Sequence, residues 1–437
     1  MTRPDFTHGD RAIDAWLDAH RDELIELAQS LVRIPTESTP PTGGELEGQR
    51  YVQAQLEPLG AEVDVFTPDE VEELSRHPAY HPLINGQPRD FTNRPNVVGR
   101  FAGTGGGRSV ILSTHIDTVP AGDPSLWREG TPHGGELRDG RLYGRGSYDT
   151  KCALASHLHA VRCLQETGWP LAGDVTIESV VDEEYGGSHG VLAARLRGYN
   201  ADVAINSEPT HLAVCPAHRG GREAYLRFQG TPGMAFEGQQ PSDAVVALAR
   251  CIVALKSFND ERNEREVAPL YRHDPLLPWY FNQIGGGGDT YGEAVGPPAE
   301  TYLHFWAEVY EGTTAEDFDR EILDRLRRDL DMHPDSYGQK PVLEPTIRFM
   351  PGSSMALDHP ALHTLQDAFF GVPGRQFEVR GAPFACDAYV FNLYSPTPAL
   401  ILGPGGGGAH APDEYVLVDD LQDLARICAR FIARWCA

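Results

Sequence analysis

Four short apolar runs, Val110-Ile111-Leu112, Val175-Thr176-Ile177, Val203-Ala204-Ile205 and Ala399-Leu400-Ile401-Leu402, are each followed within several residues by histidine or acidic side chains. Runs this short and rich in β-branched side chains suit strands. Asn96-Val97-Val98-Gly99 is a fifth run, and helical patterns from Cys152 to Leu164 and from Ser188 to Leu196 lie between several of them. Alternating strands and helices imply an open α/β sheet, mostly parallel and flanked by helices. In such sheets the loops at the carboxyl ends of neighbouring strands converge on one crevice. An amphipathic helix precedes the sheet: Leu24, Leu27, Ala28, Leu31 and Val32 share one face, and Pro35 ends it.

A chain of 437 residues is too long for one ordinary core, which implies a catalytic domain and an accessory one. The middle reads as strand, helix, strand, helix: Tyr225 to Phe228, Ala244 to Leu255, Tyr302 to Val309 and Thr314 to Leu330. This suits a small α+β insert over 218–349, with 1–217 and 350–437 forming the α/β domain. The Gly- and Pro-rich stretch from Ser257 to Ala299 reads as a long loop, of a kind compact domains keep for a lid or an oligomer contact.

Composition narrows the function. Thirty-seven basic residues against 63 acidic ones give a net charge of −26, which disfavours binding to nucleic acid or an anionic membrane. Seven scattered cysteines form no CxxC pair, as expected of reduced thiols in the cytoplasm. Neither a signal peptide nor a long apolar span is legible.

The chemistry lies at the strand ends. His115, Glu183, Glu184, Glu208 and His410 follow apolar runs, and Asp149 stands at the start of a helix. Mixed imidazole and carboxylate donors suit Zn²⁺ and its first-row neighbours, Co²⁺ and Mn²⁺ among them. One bridging carboxylate, with one histidine and one acid for each of two ions, uses five ligands and leaves a shared position for hydroxide. Because successive side chains of an extended segment alternate in direction, one acid of Glu183-Glu184 can ligate while the other serves the water.

These motifs stand as Ser113-Thr114-His115-Ile116-Asp117, Gly144-Arg145-Gly146-Ser147-Tyr148-Asp149-Thr150-Lys151, Asp182-Glu183-Glu184-Tyr185-Gly186-Gly187, Ser207-Glu208-Pro209-Thr210 and Ala409-His410-Ala411-Pro412-Asp413-Glu414. In this order they resemble the metallopeptidase M20 family of aminoacylases, acetylornithine deacetylases, succinyl-diaminopimelate desuccinylases and carboxypeptidases. The resemblance implies that His115 and Glu208 hold one metal, that Glu184 and His410 hold the other, and that Asp149 bridges them. It further implies Glu183 as general base, Asp117 orienting His115, a cis peptide at Asp149–Thr150, and a homodimer formed through a ferredoxin-like lid domain. The segment Arg94-Pro95-Asn96-Val97-Val98 and the long insert are closer to the deacetylase and desuccinylase branch, which points to N-acyl amino acids or related small amides as substrates. Dipeptidase or carboxypeptidase activity at the same centre is the alternative. Two departures stand out: Phe236 occupies the place of the family's lid histidine, and Phe305-Trp306-Ala307-Glu308-Val309 has no match for its lid arginine. These departures leave open an atypical reaction or a metal-stabilised binding role.

Other residues read as structural. His157 and His159, two apart on a helix, do not share a face. Gly103 to Gly107 lacks the Lys-Ser/Thr of a phosphate loop. Arg145 and Lys151 anchor the bridging loop, and Gly403-Pro404-Gly405 is either a turn or a set of amides for a substrate carboxylate. Tyr148, Tyr185 and His218 are the candidate substitutes for the lid histidine.

Overall fold

The computed structural model describes residues 6–84, 86–231, 243–265, 267–286, 298–334 and 340–437. The chain divides into two compact units, 1–217 with 354–382 and 386–437, and 218–353 with 383–385. Phe236 lies outside the described residues.

A nine-stranded mixed sheet carries the larger unit. At its centre Val110–His115 runs parallel to Val175–Val180 on one side and to Val203–Asn206 on the other, and Ala399–Ile401 continues the parallel set. Antiparallel strands flank this centre: Asn96–Phe101 beside Val175–Val180, then Glu62–Phe66. All residues of the three central strands are buried, the polar Ser113, Thr114, Glu178 and Ser179 among them, as a sheet covered on both faces requires.

The helix Cys152–Glu166 is buried from Cys152 through Val161, and it packs against Arg21–Arg33, whose buried Leu24, Ala28, Leu31 and Val32 form the expected stripe. The other principal partner of Cys152–Glu166 is Val418–Trp435, a helix buried over most of its circumference despite its charges. Those charges are matched by Phe6–Ala19, a helix with no clear signal in the sequence. Asp10, Asp14 and Asp18 recur every four residues, as do Arg434, Arg430 and Arg426, and they pair in antiparallel order at 2.7, 2.6 and 2.7 Å. Ile13 and Leu17 complete that contact in the core.

The smaller unit is a four-stranded antiparallel sheet in the order Trp279–Gly286, Glu300–Val309, Gly220–Gln229, Val342–Pro345. Helices Ala244–Asn263 and Ala315–Met332 start at capping side chains, Asp243 accepting from the Val245 amide and Thr314 from that of Asp317. Both helices bury one face against Leu226, Phe228, Leu303 and Phe305. The stretch expected to be a loop after Ser257 is shorter than the sequence implied, because its helix runs on to Asn263 and Trp279–Gly286 is an edge strand. The signal was the aromatic triplet Trp279-Tyr280-Phe281 among glycines and prolines.

All seven cysteines are free and buried. No helix among the described residues is long and apolar enough to cross a membrane.

Candidate metal centre

Strand register builds the site. Val180 pairs with His115, Asn206 with Ser113, and Ile401 with Asn206, so the four parallel strands end close to one row. The segments leaving these ends converge at one end of the sheet, where their side chains meet. Asp182-Glu183-Glu184 comes after Val180, and Glu208 after Asn206. His410 arrives on the loop after Ile401, and Asp149 on the turn ahead of Cys152–Glu166, where the Asp149–Thr150 peptide is cis as the resemblance implies.

Asp149 divides its carboxylate between two histidines. Oδ1 lies 3.2 Å from His115 Nε2, and Oδ2 lies 3.2 Å from His410 Nε2. Each histidine also faces an acid of its own: His115 Nε2 is 3.7 Å from Glu208 Oε2, and His410 Nε2 is 2.9 Å from Glu184 Oε2. Two nests of one imidazole and one carboxylate thus share Asp149. Ligand atoms of His115, Asp149 and Glu184 lie within 4.8 Å of one another.

His115 Nδ1 is 2.9 Å from the Asp117 carbonyl, which only accepts, so Nδ1 carries the proton of the neutral ring. Nε2 then turns its lone pair toward oxygens of Asp149 and Glu208. Facing acceptors repel unless a proton or a cation lies between them, and no lysine or arginine among the described residues pairs with Asp149, Glu184 or Glu208. Protons are the alternative, and the electrostatics show the demand. His410 is raised to about 11 by Glu184, against the opposing effect of burial and with Asp149 adding. Burial raises Glu208 and, well above its ordinary range, Glu183; His115 opposes both shifts. A set of two imidazoles and three carboxylates needing positive charge fits two divalent cations.

Asp117 acts in two directions. Its main chain orients His115, while its carboxylate, 3.8 Å from Nδ1, accepts the amides of Glu183 and Glu184 at 3.3 and 3.1 Å. Glu414 supports Asp149 in the same way, accepting the amides of Tyr148 and Asp149 at 3.0 and 3.1 Å while Arg145 pairs with it at 2.5 Å.

Residues 111–434 match the model of peptidase family M20/M25/M40. The chain belongs to this family. It is 26% identical over 453 residues to N-formyl-4-amino-5-aminomethyl-2-methylpyrimidine deformylase of Halalkalibacterium halodurans, covering 97% of this chain and 96% of that protein. Among solved structures it resembles the dipeptidase Dug1p of Saccharomyces cerevisiae, with a TM-score of 0.76 at 14% identity over 98% of this chain and 99% of that one. It also resembles YXEP of Bacillus subtilis, a dinuclear metal-binding peptidase of the M20 family, with a TM-score of 0.62 at 15% identity over 95% and 98% of the two chains. As an M20 family member this protein is a metal-dependent hydrolase of amide bonds.

Within this M20 centre the remaining sequence candidates separate. The amides of Gly403 and Gly405 are taken by Thr210 Oγ1 and Asp420 Oδ2, both at 2.9 Å, so this turn is structural and its amides do not face a ligand. His157 bridges Thr114 and Ser207 from inside the core at 3.2 and 2.9 Å. Tyr148 Oη meets His211 Nε2 at 3.0 Å, whereas His218 is fully buried and holds Ser353 Oγ at 2.9 Å. Asp387 carries no local signal in Cys386-Asp387-Ala388. It is 1% exposed, and burial pushes its carboxyl well up, opposed by Ser188 and His115 and reinforced by Glu208.

Proposed function

We propose that this protein removes a small acyl group from an N-acyl amino acid or a related small amide, with Glu183 as general base. His115, Glu208 and Asp149 would hold one divalent cation and Glu184, His410 and Asp149 the other, zinc being the first choice for imidazole-carboxylate donors. The observation that carries the reading is the division of Asp149 between two histidines, each backed by its own acid. Similarity to a deformylase over nearly the whole chain favours a deacylase over a peptidase.

Two cations bound there would acidify a water and polarise the substrate carbonyl. Glu183 takes a proton from the attacking water as its oxygen bonds to the carbonyl carbon. The same carboxyl then returns that proton to the nitrogen as the C–N bond breaks, leaving a carboxylate and an amine. The smaller unit serves as lid and homodimer contact, and the free, buried cysteines suit the cytoplasm.

The test is Glu183→Gln, assayed with wild type on N-formyl amines, N-acyl amino acids and dipeptides, with metal content measured in both. The variant should keep its metal and lose roughly 10²–10⁴-fold in rate. Full turnover by the variant would refute the assignment of the base, and wild-type preference for dipeptides with a free amino terminus would refute deacylation. A monomer by light scattering would remove the dimer.

A further inference from the structure

Glu183 and Glu184 stand on a turn whose two shoulders are gripped by one side chain. Arg89 Nη1 donates to Asp182 Oδ1 at 2.7 Å, and Arg89 Nη2 donates to the Tyr185 carbonyl at 3.2 Å. The guanidinium therefore spans the tandem acids from the residue before them to the residue after. Its side chain is 1% exposed. Asp182 has φ 71, a left-handed conformation that a residue other than glycine keeps when its surroundings hold it there.

A second tie comes from the same stretch of chain. The His81 amide donates to His189 Nε2 at 3.0 Å, so Nε2 is the accepting nitrogen and Nδ1 carries the proton that reaches Asp182 Oδ2 at 2.7 Å. His81 and Arg89 flank a short hairpin in which Leu83–Ile84 pairs with Gln87–Pro88, closed by the Arg89 amide on the Pro82 carbonyl at 3.0 Å. Asp117 takes the amides of Glu183 and Glu184 from another direction. The hairpin carries none of the metal-nest residues, yet its arginine reaches the turn that presents two of the site's acids.

We propose that Arg89 is a positioning residue of the hydrolytic reaction, fixing the Glu183–Glu184 turn by holding Asp182 and Tyr185 together. The inference rests on the roles given above to Glu183 and Glu184. A base must stand within hydrogen-bond reach of the proton it takes, and displacement of about 1 Å costs on the order of 10²-fold in rate. Lysine, a point charge with no planar fork, can hold one shoulder and not both.

The experiment compares Arg89→Met, Arg89→Lys and Glu183→Gln with wild type, reading kcat, KM, metal content and melting temperature. Arg197→Met, which breaks an exposed pair with Asp64, serves as control. Arg89→Met should lower kcat about 10²-fold with KM within about threefold, and Arg89→Lys should recover part of that loss. Arg89 variants that are folded and retain kcat within twofold of wild type, beside an inactive Glu183→Gln, overturn the proposal and leave the assignment of the base standing. A Glu183→Gln enzyme with wild-type kcat overturns both. Should Arg89→Met fail to fold, Arg89→Lys decides: kcat within twofold of wild type counts against positioning, and a lowered kcat at unchanged melting temperature supports it.

Discussion

Asp117 Oδ2 accepts the backbone amide of Glu184 at 3.1 Å, so this acid is placed through its main chain as well as its side chain. Asp117→Asn replaces one acceptor with a donor facing the Glu183 and Glu184 amides. Losing one such buried bond costs about 1–3 kcal/mol. We expect kcat to fall at least tenfold while His115, held by the main-chain carbonyl of residue 117, keeps its orientation. Steady-state kinetics beside metal content check this, and an unchanged kcat would show the amide contacts to be idle.

Arg145 and Glu414 form a pair whose side chains are 2% and 1% exposed. Removing one partner strands the other's charge, which costs about 3–5 kcal/mol. Arg145→Met should therefore lower stability by that order. It should also loosen Asp149, whose amide depends on Glu414. Denaturant unfolding together with metal affinity measures both effects, and a variant as stable as wild type would refute the prediction.

Acid should destabilise the fold through histidines buried in neutral form. Burial lowers His157 from 6.5 to about 3 and His218 from 6.5 to about 4. Between the folded and unfolded values the unfolded chain binds a proton that the folded chain refuses, so stability is lost as pH falls below about 6.5. At pH 5 the loss is about 2 kcal/mol for each of these residues. Denaturant unfolding of His157→Gln at pH 7 and pH 5 should show a pH effect smaller than that of wild type by this amount. Equal effects in the two proteins would count against it.

Removing metal should abolish turnover and lower the melting temperature, because the acids around Asp149 then lack a counter-charge. Returning Zn²⁺, Co²⁺ or Mn²⁺ should restore both. Activity that survives exhaustive chelation would refute a metal-dependent mechanism.

Legibility in the sequence depends on which features leave local signals. The segments that carry His115, Glu184 and Glu208 are legible because each lies at or just after a short β-rich run, and the ends of neighbouring parallel strands converge. Arg89 is not, since its role depends on where a hairpin lands 93 positions before its partner Asp182. Asp387 is equally silent: an acid at the start of a short helix reads as a cap, yet its side chain makes no capping bond. The edge strand Trp279–Gly286 was obscured by glycine and proline, which mark turns whether or not a strand lies between them. Phe6–Ala19 is hidden because its acids look like a solvated face until the arginines of the last helix are set against them.

That acidic face has a consequence for biosynthesis. Its arginine partners lie more than 400 positions downstream, so while the intervening chain is being translated Asp10, Asp14 and Asp18 lack their counter-charges. Asp10, Asp14 and Asp18 meet their arginines only after Val418–Trp435 has been made, so closure of this zipper waits for synthesis of everything between the two helices.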